Sequence, residues 1–217
     1  MIELIDICKT YPIHHGRADR LVLNHVNLRV NPGEKWGILG RNGAGKSTLI
    51  RIISGSDKPQ SGTVRKTMTV SWPLAFGDAF QGSLTGRDNA KLISRVYGVD
   101  FHQTLDMVED FAELGPYLSE PVKSYSSGMR SRLAFAISMA IEFDCFLIDE
   151  GMSVGDHRFA KKCDVELFEK RGDRAMIIVA HQTDLIRQHC EKVALLENGK
   201  LSVMPSVDEA IAAYEAL

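Results

Sequence analysis

No excess of positive charge runs through this 217-residue chain: Lys and Arg number 26 against 28 Asp and Glu, a formal net charge of −2. Without a basic field to draw it onto a polyanion, nucleic acid is disfavoured as the main partner. Cysteine is sparse, and the four present, Cys8, Cys145, Cys163 and Cys190, show no CxxC spacing and no histidine pattern suited to zinc. They read as reduced thiols of a cytosolic protein, without a function of their own. The amino terminus, MIELIDI, lacks the basic segment, apolar stretch and small-residue cleavage site of a secretory signal, which predicts a protein that stays in the cytoplasm. Long apolar runs are missing as well. Residues 133–148, the most apolar region, are broken by Glu142 and Asp144 and are too short to cross about 30 Å of hydrocarbon, so any membrane association is expected through a partner. There is no internal repeat and no low-complexity tract, and the length suits one domain over residues 1–217, with room for an inserted subdomain.

What is present is an alternation of strand-like and helix-like segments. Residues 2–7 and 22–30 alternate as strands do, and 34–39 form a third apolar run after a turn at Asn31, Pro32 and Gly33. From Gly45 the pattern becomes helical through Ile53, and 57–62 reads as loop. Residues from about 82 to 142 have a different texture, with helical periodicity over 89–97, 104–114 and 129–141, which predicts an inserted helical subdomain. Asp100 with Gln103 suits a helix start there, and Gly115 with Pro116 a stop. Short buried strands follow at 145–148 and 175–180. A hairpin is expected around Asn198 and Gly199, and Ser206 with Glu209 opens a last helix over 207–216. Strands alternating with helices imply a mostly parallel sheet covered by helices.

The run Gly40, Arg41, Asn42, Gly43, Ala44, Gly45, Lys46, Ser47, Thr48 follows an apolar strand and opens a helix. Its glycines permit backbone conformations that side chains would block, so consecutive N–H groups can surround phosphates at a helix amino terminus. Lys46 is expected to reach the β and γ phosphates of a nucleoside triphosphate, and Ser47 to ligate Mg²⁺. Asp149 and Glu150 follow the strand at 145–148, at the carboxyl edge where open α/β sheets bind ligands. There Asp149 can hold Mg²⁺, directly or through water, and Glu150 can orient and deprotonate an attacking water. His181 follows another apolar strand and could hydrogen-bond the γ phosphate and that water. Ser126, Ser127 and Gly128 stand at the start of the helix over 129–141, where a hydroxyl, N–H groups and the positive helix end suit a phosphate; the plain alternative is an ordinary serine cap. Since that helix belongs to the insert, its start is expected to meet a phosphate held by a second copy of the chain. Tyr11 could stack on adenine, with core packing as the rival role.

Taken together these residues resemble the ABC transporter ATPases over nearly the whole chain. The resemblance implies a P-loop α/β fold of ABC type: a mostly parallel core, an antiparallel β-subdomain at the amino terminus and a helical insert. Tyr11 would lie in the adenine-stacking loop, Gly40 to Thr48 in the phosphate loop, Ser126 to Met129 in the signature motif, Asp149 and Glu150 at the strand end, 153–156 in the dimer-contacting loop, and His181 as the switch histidine. The usual LSGGQ reads here as Tyr125, Ser126, Ser127, Gly128 and Met129, and the glutamine expected after the phosphate loop is matched loosely by Gln81. The stretches SWP, FQGSLTGRDN, YSSGMRSRL and VGDHRF are similar to those of the ATPases that export capsular polysaccharides, with O-antigen and teichoic acid exporters as near relatives. The resemblance implies ATP and Mg²⁺ as ligands, a homodimer, a separate polytopic permease within a wider capsule export assembly, and a place at the cytoplasmic face of the inner membrane. A soluble ABC ATPase without a membrane partner and a simple nucleotide-binding switch are the alternatives. Coupling to the permease is expected near Gln81 to Asp88, with Arg87 as its probe.

Overall fold

The computed structural model describes residues 1–13, 18–74, 80–149 and 157–217. In chain order it forms β1 (Ile2–Ile13), β2 (Ala18–Val30), β3 (Lys35–Leu39), α1 (Lys46–Ser54), β4 (Ser61–Lys66), β5 (Val70–Pro73), α2 (Gly86–Tyr97), α3 (Phe101–Ala112), α4 (Ser127–Ala140), β6 (Cys145–Asp149), α5 (His157–Asp164), β7 (Ala175–Val179), α6 (Thr183–His189), β8 (Lys192–Glu197), β9 (Lys200–Val203) and α7 (Val207–Glu215). Two compact units result: Met1–Pro73, Phe143–Glu150 and Asp173–Leu217 make one, Leu74–Glu142 and Gly151–Gly172 the other.

The first unit carries both sheets. One is antiparallel, in the order β2–β1–β4; the other runs β5–β6–β7–β3–β8–β9, parallel throughout except for β9. β6 and β7 read CFLID and AMIIV and are buried almost end to end, the continuous apolar pattern of parallel strands covered on both faces. The hairpin between β8 and β9 turns at Asn198 (φ 49°) and Gly199 (φ 77°), a pair of left-handed residues that matches the twist of the strands. Ile2, Leu4 and Ile7 of β1 share one apolar cluster with Trp36 and Ile38 of β3, Leu49 and Ile53 of α1, and Val179 of β7.

In the second unit the core includes an aromatic cluster. Phe111 of α3 stacks on Phe135 of α4 at 5.4 Å between ring centroids, and Phe159 of α5 meets Phe111 edge-on at 5.4 Å. Burial of each ring contributes about 1.5–3 kcal/mol. Beside them Arg158 and Lys162 of α5 reach Glu113 at 2.8 and 3.1 Å. These contacts explain why the unit takes in α5, which follows the expected boundary at 142.

Several segments differ from the sequence expectation. β1 continues to Ile13 instead of stopping at residue 7, because its register shifts between Leu4 and Ile7 and again before Lys9, and a bulge at Asp6 (φ 56°) breaks the two-residue alternation. No strand is expected at Ser61–Lys66, whose residues are nearly all exposed and polar; it forms because its backbone pairs with β1, an outer position that needs no apolar face. Helix starts are earlier than periodicity suggests. α2 begins at Gly86, where the Thr85 hydroxyl accepts from the Asp88 N–H, and α3 at Phe101, where the Asp100 carboxylate accepts from the Gln103 N–H, the pair the sequence marks.

Candidate nucleotide-binding site

Between β3 and α1 the chain makes the glycine-rich loop. Gly45 is the cap residue of α1 with φ 111°, and a Cβ there would stand 2.8 Å from the Val22 carbonyl oxygen, so both backbone conformation and space require glycine. At Gly40 an added Cβ would meet the Leu196 carbonyl oxygen of β8 at 2.4 Å. The loop is therefore pinned between β2 and β8 by its backbone. Arg20 of β2 adds a bond from its guanidinium to the Gly43 carbonyl at 3.2 Å. Lys46 is 6% exposed, and its ammonium donates to the carbonyls of Gly40 (2.6 Å) and Arg41 (3.2 Å), lying across the mouth of the loop. No side chain caps the start of α1 and no acidic residue lies in its first turn. Backbone N–H groups at a helix start, a lysine and a first turn without carboxylates are the donor set of an anion cradle, and they fit the triphosphate of a nucleotide. Thr48 is buried, while Asn42 and Ser47 are exposed.

Strand register brings the other groups of this unit to the same edge. Val179 of β7 pairs with Asp149 on one side and with Ile38 on the other. Asp149 thus stands level with Ile38, two strand spacings or about 10 Å away, just below the phosphate loop. His181 lies two residues past Val179, at the carboxyl end of the strand between them, and its Nδ1 is 3.2 Å from the Tyr214 hydroxyl of α7. Glu150 and residues 153–156 lie outside the described residues. Among the described residues no group of three His, Cys, Asp or Glu gathers as a metal site. Ser47 and Asp149 are hard oxygen donors of the kind Mg²⁺ takes beside phosphate oxygens and water.

Tyr11 lies in β1 opposite Arg20 of β2, the residue that bonds Gly43. Its hydroxyl donates to Asp57 at 2.7 Å, and the Lys9 ammonium sits 5.2 Å from its ring centroid. Hydrogen bonds from Lys9 and then Tyr11 hold the Asp57 carboxyl below its usual range. The sequence reading missed Asp57, whose partners are distant in the chain, and it missed Arg20. A cavity of about 590 Å³ opens beside the loop, lined by Arg20, Arg41, Asn42, Gly43, Glu197 and Leu217 among others.

The remaining predicted groups belong to the second unit. The Ser126 hydroxyl caps α4, accepting from the Met129 N–H at 3.2 Å, so the ordinary capping role is present whatever else the hydroxyl does. Ser127 is exposed, and Gly128 is half-buried. Tyr125, in the place of the motif's usual leucine, is buried and donates to the Tyr117 carbonyl at 2.6 Å, while Arg130 donates to the Tyr125 carbonyl at 2.6 Å. The helix start is thereby fixed to its own unit. Gln81 exchanges backbone bonds with the side chain of Asn89, its N–H donating at 3.0 Å and its carbonyl accepting at 3.2 Å. Asn89 is buried and also donates to the Thr85 carbonyl at 2.9 Å, organising the segment before α2. Arg87 pairs with Glu109 of α3 at 2.7 Å.

A glycine-rich loop joining a core strand to a helix, on the carboxyl edge of a parallel sheet, defines a P-loop nucleotide-binding protein. A family model described as ABC transporter matches residues 23–153. The chain is 52% identical over 217 residues to the capsule polysaccharide export ATP-binding protein CtrD of Neisseria meningitidis serogroup B, covering 100% of both chains. It is also 52% identical to the ATP-binding protein BexA of Haemophilus influenzae, over 99% of this chain and 98% of that protein. Identity to the polysialic acid transport ATP-binding protein KpsT of Escherichia coli is 42%, over 99% of each. The chain belongs to the ABC transporter family. Among solved structures, a dimeric post-hydrolysis state of an ATP-binding cassette bound to ADP and Pi superposes with a TM-score of 0.78 at 23% identity, covering 95% of this chain and 99% of that one. The fold is that of an ABC-type ATPase.

No helix among the described residues is long and apolar enough to cross a membrane. Burial pushes the thiols of Cys145, Cys163 and Cys190 up to about 12, which leaves them unreactive at neutral pH.

Proposed function

We propose that this ABC ATPase powers export of a capsular polysaccharide through a separate permease, working as a homodimer at the cytoplasmic face of the inner membrane within a wider export assembly. The observation that carries the reading is the 52% identity with the capsule polysaccharide export protein over the full length of both chains. Identity to the teichoic acids export ATP-binding protein TagH of Staphylococcus haemolyticus is 33%, over 88% of that protein, which favours the capsule branch over its neighbours.

In this reading the loop N–H groups and Lys46 bind the phosphates, and Tyr11 holds the adenine with its hydroxyl steadied by Asp57. Mg²⁺ held by Ser47 and Asp149 would neutralise charge on the β and γ phosphates. Glu150 takes a proton from the attacking water, and His181 donates to the γ phosphate. Ser126, Ser127 and Gly128 of a second copy close over the same phosphate, so triphosphate binding draws two copies together and hydrolysis releases them. Gln81 and the segment up to Asp88 face the permease.

Two experiments test this. Placed in a capsule-bearing strain that lacks its own export ATPase, the wild-type gene should restore surface polymer, and Lys46→Ala should not; polymer retained inside cells that hold stable wild-type protein would overturn the capsule assignment. Glu150→Gln should nearly abolish ATP turnover yet keep ATP-dependent dimerisation, and turnover near wild type would remove Glu150 as the base.

A further inference from the structure

Among the groups proposed to act on the γ phosphate, His181 contacts a residue of the last helix. Its Nδ1 lies 3.2 Å from the hydroxyl of Tyr214, on the last turn of α7. That helix is fastened on both sides of the contact. Asp208, in its first turn, accepts from Arg187 of α6 at 3.3 Å, and α6 begins two residues after His181. At the other end the Leu217 N–H bonds back to the Tyr214 carbonyl at 3.3 Å, and the Leu217 carbonyl accepts from Arg41 of the phosphate loop at 2.8 Å. One short stretch of chain therefore touches both the phosphate loop and the histidine, which is itself exposed.

We propose that Tyr214 is a positioning residue for His181: its hydroxyl donates to Nδ1, sets the ring orientation and places the imidazole hydrogen on Nε2, ready to donate to a phosphate oxygen. The chemistry follows from the inventory of the two side chains. A neutral imidazole has one N–H donor and one bare nitrogen acceptor, and a phenolic hydroxyl can donate or accept; in the proposed direction the hydroxyl donates to a bare Nδ1, which leaves the imidazole hydrogen on Nε2. The histidine then meets the anion already in the tautomer it needs. Arg41 and Leu217 keep α7 in register with the loop that holds that anion.

The inference rests on the proposed role of His181, and its test separates the two. Tyr214→Phe keeps the ring and removes the hydroxyl. In the assembled transporter it should lower kcat for ATP roughly three- to tenfold, the worth of one hydrogen bond, with KM for ATP unchanged. In nitrogen-15 spectra of the full chain, the His181 ring signals should move from a predominantly Nε2–H pattern toward a mixture of tautomers. Combined with His181→Ala, the tyrosine change should add nothing further. Unchanged ring signals in Tyr214→Phe, or an equal loss of kcat in the His181→Ala background, would overturn the proposal. Should His181→Ala turn over at the wild-type rate while Tyr214→Phe still shifts the ring signals, the positioning stands and the catalytic role of the histidine falls.

Discussion

In the first unit the groups proposed to bind phosphate are held by main chain: Gly40 against the Leu196 carbonyl, Gly45 against the Val22 carbonyl, and Lys46 on the carbonyls of Gly40 and Arg41. In the second, Ser126 to Gly128 stand at one helix start, kept in place by the side chains of Tyr125 and Arg130 and by an aromatic cluster behind α4. A backbone cradle is specified locally, since its shape follows from glycine positions and two flanking strands. A helix start displayed from an insert depends on everything that orients the helix. The two halves of the proposed composite pocket should therefore fail differently under substitution.

The largest expected effect is in the cradle. Lys46→Ala should reduce phosphate release by at least about a hundredfold; residual turnover within tenfold of wild type would remove Lys46 from the chemistry. In the second unit the corresponding damage should come through folding. Phe135→Ala removes a buried ring and should cost about 3–5 kcal/mol, read from urea denaturation. A loss below 1 kcal/mol would show that the aromatic cluster does not hold the unit.

Ser126 can separate its own two roles. Ser126→Ala should lose about 1 kcal/mol with the cap, whereas Ser126→Asp keeps a capping oxygen and should retain the stability. Both should block ATP-driven dimerisation, the aspartate more completely, because a carboxylate would face the phosphate. If Ser126→Asp dimerises like wild type in sizing experiments with ATP, the hydroxyl is a cap and nothing more. Arg87→Gln is a better probe of the permease surface than charge reversal, which would set a carboxylate beside Glu109. Both partners are about half exposed, so the neutral change should cost less than about 1 kcal/mol while weakening permease capture.

The smallest effect concerns acid stability of the first unit. Burial alone would raise the Glu34 carboxyl, but hydrogen bonds from Asn31, Lys192 and Trp36 prevail and lower it to about 2. A depressed carboxyl stabilises the fold above its unfolded value, near 4.5, and that stabilisation fades as pH falls from there toward 2. Wild type and Glu34→Gln should differ in denaturation midpoint at pH 6, and the difference should narrow steadily as pH falls from about 4.5 toward about 2. Parallel curves over that range would assign the difference to packing instead of charge.

Much of the first unit is legible in the sequence because its strands are apolar runs and its loop is a spaced set of glycines before a lysine. β4 is not, since a strand with water on its outer face carries no alternation, and the far part of β1 is hidden by the bulge at Asp6. In the helical unit, Asp100 with Gln103 marks a helix start correctly, while the start of α2 at Gly86, ahead of the expected residue 89, rests on a threonine cap and the buried Asn89. Glu150 and residues 153–156, readable as motif, fall outside the described residues.

By itself the sequence determined the phosphate loop, the order of the chemical groups along the chain and the family to which they belong, because each is a matter of residue types at fixed spacing. Only the tertiary structure decided that Asp149 stands level with Ile38 across Val179, that Asp57 holds the Tyr11 hydroxyl, and that Tyr214 reaches His181. Those pairings join residues 30 to 141 positions apart in the chain. Hydrogen-bond ladders and helix packing bring such residues together, and neither leaves a local pattern to read.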